Sequence, residues 1–209
     1  MRTFTKILIW IVVAMAIVCG VVLAFFEPWS IPTDDVALDD SIEPTMSGGD
    51  LVLVSRSNGA ANGALVRCAD PDAPGRFVVG RVMAVAGDVV DFKGGSLQLG
   101  GKTPSAPYAC DVAKVTMKNP ASGDDEELNC FVEEFAGGTH ESLRGKAIDA
   151  DSHSEIATGT VFLVSDNRTL HLDSRDFGAV VPTTCQRIAF RVTSAGGSGD
   201  AKRRFTVLW

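Results

Sequence analysis

The chain has 209 residues, 45% of them hydrophobic and 22% charged, with 21 glycines and a formal net charge of -7. That length holds one medium domain with room for a small inserted subdomain, and the composition excludes a disordered or collagen-like chain. The acidic balance excludes a nucleic-acid partner, because phosphate binding needs a basic face and the sole basic cluster is Lys202-Arg203-Arg204.

The N-terminus opens on an unbroken apolar run from Ile7 to Phe26. At about 1.5 Å per residue it reaches roughly 30 Å, the thickness of a bilayer core. Arg2 and Lys6 precede the run, and Glu27 and a series of aspartates follow it. Positive charge on the inner side predicts a cytoplasmic segment over 1–6, a transmembrane anchor over 7–26 and everything else outside. The run is longer than a signal-peptide core of about 7–15 residues, and no small-x-small site follows it, so an uncleaved anchor is expected.

FEPWSIPTDDVALDD comes next, and Pro28, Pro32 and the aspartates predict an extended, irregular leash. Strands are then predicted over Asp50–Ser55, Ala64–Arg67 and Phe77–Val85. Val89–Phe92 and Ser96–Leu99 form a hairpin pattern around Gly94-Gly95. The stretch 103–154 is more polar and resembles an inserted subdomain. Val161–Ser165, Gln186–Thr193 and the terminal RRFTVLW are the late strands. The sum is a mainly β domain without βα alternation, its core divided into 27–102 and 155–209 around the insert.

Cys19 falls inside the anchor, while Cys68, Cys110, Cys130 and Cys185 lie beyond it. In an oxidising compartment four thiols form two disulfides, in any of three pairings. Cys110–Cys130 within the insert with Cys68–Cys185 within the core is the preferred one. A metal site is disfavoured by the lack of any CxxC or close Cys/His pair.

Two distant segments carry the chemistry. SIEPTMSGGDLVLV runs from Ser41 to Val54, and VFLVSDNRTLHLDSRDFGAVVP from Val161 to Pro182. Between them lie FVVGRVMAVAGD at 77–88, GGSLQLGGK at 94–102 and EEFAGGTHE at 133–141. Ser41-x-x-Pro44-Thr45 followed by Gly49-Asp50 resembles the nucleophile box of membrane-anchored bacterial type I signal peptidases. Phe77–Asp88 is similar to that family's Lys-Arg-Val-x-x-x-x-Gly-Asp box, and Ser165–Pro182 to its closing Gly-Asp-Asn-Arg…Asp-Ser-Arg-x-Phe-Gly-x-Val-Pro box. The resemblance covers nearly the whole chain. It implies a signal-peptidase-like β core with an inserted subdomain, held at the outer face of the cytoplasmic membrane. It also implies preprotein signal peptides as partners, cut after small-x-small sites, and neither a metal nor an organic cofactor.

By that resemblance Ser41 is the nucleophile and its backbone N–H an oxyanion donor, while Arg81, Asp166, Arg168, Asp173 and Arg175 form a charged network beneath the site. Partly buried ions need partners, so these charges fix geometry. Two positions depart from the pattern. Serine is a poor nucleophile until a base takes its proton, and the family's base is a lysine kept neutral by burial. Its position, directly before Arg81-Val82, is Gly80. The serine that normally accompanies that lysine is His171, the side chain best suited to base work near neutral pH. One expectation is that His171 deprotonates Ser41, with Asp173 or the Asp39-Asp40 pair orienting the imidazole. The other is a silent relative that binds signal peptides or partner proteins.

Three further details bear on the site. Asp39-Asp40 stand where relatives add an oxyanion hydroxyl, and a carboxylate there opposes catalysis. Ile31-Pro32-Thr33-Asp34-Asp35 itself resembles the segment leading into the family serine, so in a rival register Asp35 takes the serine's place and Thr33 lies nearby. Ser165 stands where the family has glycine. His140 and His153 are expected at the surface of the insert.

Overall fold

The computed structural model describes residues 2–146, 150–195 and 204–208, so Lys202 and Arg203 of the basic cluster lie outside the described residues. The chain opens with one long helix, α1 (Arg2–Phe25). Its Phe4–Phe25 stretch is long and apolar enough to cross a membrane, and none of its most apolar window is buried against the rest of the chain. The helix stops one residue before the end of the apolar run. Phe26 already belongs to β1 (Phe26–Ser30), which pairs antiparallel with β2 (Leu51–Asn58), Phe26 opposite Ser55.

The segment expected as a leash is ordered. Pro28 is accommodated because β1 is an edge strand, where a missing N–H costs no ladder bond. Asp35 then caps a short helix, α2 (Val36–Ile42), by accepting a hydrogen bond from the Leu38 N–H at 3.2 Å. Leu38 and Ile42, four residues apart and so on one face, are buried in the core. Proline and aspartate punctuation signals the boundaries of such short elements as readily as it signals a loop.

The other elements follow in order: β3 (Leu65–Ala69), β4 (Phe77–Val85), β5 (Val89–Lys93), β6 (Ser96–Leu99), β7 (Ser105–Lys118), β8 (Asp125–Phe135), β9 (Gly138–Arg144), β10 (Ser152–Glu155), β11 (Val161–Val164), α3 (Ser174–Phe177), β12 (Cys185–Thr193) and β13 (Thr206–Val207). The protein is mainly β. Its principal sheet runs β1-β2-β12-β3-β4-β11, with β13 added to β12. Two three-stranded sheets, β10-β5-β6 and β7-β8-β9, complete it. β10 lies at the end of the stretch expected as the insert but pairs with β5, whereas β7, β8 and β9 form a sheet of their own.

β4 is buried from Val78 to Ala84, which explains its near-continuous apolar sequence. Its side chains alternate between two packed layers. Val79 joins Ile31, Leu38, Ile42, Val54 and Ile188, while Val78 and Val82 join Val66, Val161, Leu163 and Val180. Each such buried aliphatic contributes roughly 1.5–3 kcal/mol relative to exposure. Disulfides join Cys68 to Cys185 across β3 and β12, and Cys110 to Cys130 across β7 and β8.

Candidate active site

Three loops bring the motif segments together. Thr45 donates its hydroxyl to Asp166 Oδ2 at 2.6 Å, tying the nucleophile box to the closing box. Arg81 on β4 grips the same carboxylate from Nε (3.1 Å to Oδ1) and Nη2 (2.9 Å to Oδ2), and also donates to the Gly63 carbonyl. Burial alone would push Asp166 up, but the Arg81 guanidinium pulls its pKa below the ordinary value and keeps the carboxylate charged. Asn167, next in the closing box, donates its N–H to the Ser41 carbonyl at 3.1 Å and its amide to the Asp40 carbonyl at 2.9 Å. The end of α2 is thus fastened to the loop after β11.

Ser41 sits in the last turn of α2 and is fully buried. Its hydroxyl donates to the Leu38 carbonyl, three residues back, at 2.8 Å. The only hydroxyl proton is therefore spent within the helix instead of on His171. Its backbone N–H lies within the helix, directed along the helix axis.

The neighbours of Ser41 are acidic. Asp39 Oδ1 accepts from the Gly48 N–H. Asp40 Oδ2 is buried and meets no hydrogen-bond donor, and burial, reinforced by the charge of Asp39, pushes the Asp40 pKa up to about 6. In the rival register, Asp35 is the cap of α2 and pairs through Oδ2 with Arg76 just before β4. Neither register presents a free serine hydroxyl.

Gly80 pairs with Val66 in the β3–β4 ladder, on the face of β4 opposite Arg81. A Cβ built there would come within 3.1 Å of Leu163 Cβ and 3.4 Å of the Val164 carbonyl. β11 would have to give by a few tenths of an ångström to admit any side chain there.

His171 and Asp173 lie in the turn leading into α3. Asp173 is fully buried and caps that helix. Its oxygens accept from the Ser165 N–H at 2.7 Å, the Arg175 N–H at 3.0 Å, and Arg175 Nε and Nη2 at 2.9 and 2.7 Å. With those four bonds Asp173 has no lone pair left to orient an imidazole. That role falls to Asp176, whose Oδ2 lies 2.8 Å from His171 Nδ1 and also accepts the Asp173 N–H. Asp39 is likewise engaged elsewhere, with the Gly48 N–H. Burial pulls the His171 pKa down, but the Asp176 hydrogen bond and nearby carboxylates outweigh it, and the net shift is upward. The Asp176 carboxylate thus raises the proton affinity of the ring.

Asp176 was legible in principle, because Asp173-x-x-Asp176 has capping-box spacing. The Ser165 N–H serves Asp173, and its hydroxyl, the group a glycine would lack, accepts the Leu172 N–H at 3.2 Å. His171, Asp173 and Asp176 place ligand atoms within 4.8 Å of one another, but a cation there would have to displace Arg175 from Asp173.

His140 corrects an expectation. It is buried, its Nε2 3.4 Å from Glu133 Oε2. Glu133 on β8 also holds Ser142, Arg144 and Arg168. A polar sequence concealed an inward charged cluster, because Glu133 and His140 are paired across β8 and β9. His153 is exposed and pairs with Asp91 at 2.8 Å.

The family model described as signal peptidase, peptidase S26, matches residues 4–187. No curated protein matches the chain. The match spans the apolar helix and all three motif boxes, and ties the chain to a membrane-associated peptidase family that removes signal peptides from preproteins. The chain belongs to the S26 signal peptidase family.

Proposed function

We propose that this protein is a catalytically silent member of its family, which engages the signal-peptide region of exported preproteins at the outer face of the cytoplasmic membrane without cutting it. The burial of Ser41, with its hydroxyl proton committed to Leu38, carries this reading. Gly80 supplies no base, and His171 is turned to Asp176 with its proton held more tightly than usual. α1 serves as the anchor. A cavity of about 600 Å3 beside α2, walled by Trp29, Pro32, Val36, Leu38 and Phe77 and edged by Asp34, Asp35 and Arg76, offers a seat of mixed apolar and charged character for an extended segment. Arg67 stacks against Trp29 and Phe77, 5.0 and 4.4 Å from their ring centres, and stiffens that wall.

A second reading is a serine endopeptidase cutting after small-x-small sites. It is favoured by the His171–Asp176 pair, which resembles the base-and-orienting-acid half of a triad. It requires α2 to unwind and release Ser41.

Full-length protein in detergent, mixed with a fluorescent preprotein bearing an Ala-x-Ala site, separates the two. Saturable binding without product, weakened by Trp29→Ala, supports the silent reading. Cleavage that is lost in both Ser41→Ala and His171→Ala, each still folded, overturns it in favour of the peptidase.

A further inference from the structure

Three polar side chains away from Ser41 and His171 line one cavity and have no partner in the protein. The cavity, of about 270 Å3, lies between the β2–β3 loop, the β8–β9 turn and Arg187 near the start of β12. Among the described residues, the side chains of Arg187, Asn62 and Thr139 make no hydrogen bond or ion pair, and the Arg187 Nε is buried in that state. A donor so placed is costly to leave unmatched.

None of the described residues that line the cavity is an aspartate or glutamate. Glu134 and Glu141, on the same hairpin, line neighbouring hollows instead. The other two titratable walls are satisfied from within. Arg81 is paired with Asp166, and His140 has its Nε2 against Glu133, with burial lowering its pKa. Arg187 therefore gives the cavity one unmatched positive charge.

Close backbone approach holds these walls in place. A Cβ on Gly59 would lie 2.6 Å from Arg187 Cβ, and one on Gly63 would lie 2.8 Å from Ala136 Cβ. Ala136 and Gly137 both have positive φ, as the two-residue turn between Phe135 and Gly138 requires. Gly63 donates to the Val82 carbonyl at 2.7 Å and accepts from Arg81. The loop is thus fastened to the Arg187 stem on one side and to the hairpin turn on the other, so the donors are organised before a ligand arrives.

One unmatched charge suits a monoanion, and the planar fork of a guanidinium matches the two oxygens of a carboxylate. Phe135, Ala61, Ala64 and Ala136 supply an apolar wall for a short aliphatic body. The volume lies just under the usual range for ligand pockets, about 300–1,000 Å3, so the ligand is small. We propose that this cavity binds a carboxylate carried on a short apolar stem, with Arg187 pairing its oxygens and Asn62 and Thr139 donating beside it. A free small acid and the C-terminal residue of a peptide both present that chemistry.

The test titrates the full-length protein in detergent with N-acetyl-alanine, with N-acetyl-alaninamide and with butyrate, following the Gly137 and Gly138 amide resonances by NMR. N-acetyl-alanine should shift them saturably, and the uncharged amide should not. Arg187→Gln should weaken binding at least about tenfold, through loss of a charge-assisted pair. Thr139→Val, at an exposed position away from the Gly59 packing, should weaken it about threefold or more and serves if Arg187→Gln does not fold. Butyrate binding as tightly as N-acetyl-alanine identifies a free acid as the ligand, and clearly weaker butyrate identifies a peptide C-terminus. Glycine resonances that neither carboxylate moves, an amide that binds equally well, or affinity unchanged in a folded Arg187→Gln or in Thr139→Val would each overturn the proposal.

Discussion

The hydroxyl of Ser41 donates to the carbonyl of Leu38 at 2.8 Å, inside the helix that both residues help to build. A serine bonded back to its own helix gains little, because the carbonyl it serves already takes part in helix hydrogen bonding and alanine has the higher helix propensity. Ser41→Ala is therefore expected to change unfolding free energy by no more than about 1 kcal/mol in either direction. Urea unfolding of the domain checks this. The same variant should bind a preprotein as well as wild type does, whereas a nucleophile poised for substrate would leave a mark on binding or turnover.

Gly80 makes the reverse point. Restoring the lysine of the family pattern is expected to damage the protein without giving activity. The new Cβ meets Leu163 Cβ at 3.1 Å and backbone of β11 just beyond. The ammonium must be buried in a layer lined by Val66, Val82 and Leu163. Overpacking of that kind costs about 1–3 kcal/mol before any charge burial is added. A lower thermal midpoint and no cleavage by Gly80→Lys is the expected result; robust cleavage of an Ala-x-Ala preprotein would mean that Ser41 is reachable after all.

Much of this was legible in the sequence. β4 was placed over its observed range because a strand buried on both faces writes itself as a continuous apolar run with Gly87-Asp88 to end it. Arg81–Asp166 and Asp173–Arg175 are pairs because buried charges at motif positions have few other ways to be satisfied. What was not legible depends on which rotamer wins. Whether His171 faces Asp173 or Asp176 turns on how many donors already occupy Asp173, and those come from Ser165 and from Arg175 through the tertiary fold. α2 was hidden because seven residues carry too little periodicity, although Asp35 and the Leu38–Ile42 spacing are its signature. His140 was misplaced because a polar stretch was equated with a polar surface.

Asp40 gives the protein a distinctive pH response. Its folded pKa is raised to about 6 from an ordinary value of 3.8, so between those values the folded state binds more protons than the unfolded one. Stability must then fall as pH rises through that window, and the penalty is fully present above it. Asp40→Asn removes the ionisable group while keeping its shape. Its thermal midpoint should exceed that of wild type at pH 7, and the gap should close by pH 4. A wild-type midpoint that does not decline between pH 4 and 6 relative to Asp40→Asn contradicts the assignment.

His171 responds with the same slope in a higher window. Burial opposes its protonation, but the Asp176 hydrogen bond and the charges of Asp173 and Asp176 prevail, so its pKa lies above the ordinary 6.5. A histidine raised on folding contributes stability that is complete below its unfolded pKa and is lost as pH rises through the folded one. Asp176→Asn keeps a hydrogen-bonding group beside Nδ1 but removes the charge, and should bring the titration of His171 down. NMR titration of the imidazole in the two proteins measures the difference directly. If wild-type His171 titrates below 6.5 and Asp176→Asn leaves it there, the ring is neutral at physiological pH. The serine–histidine reading would then recover the base that the present geometry denies it.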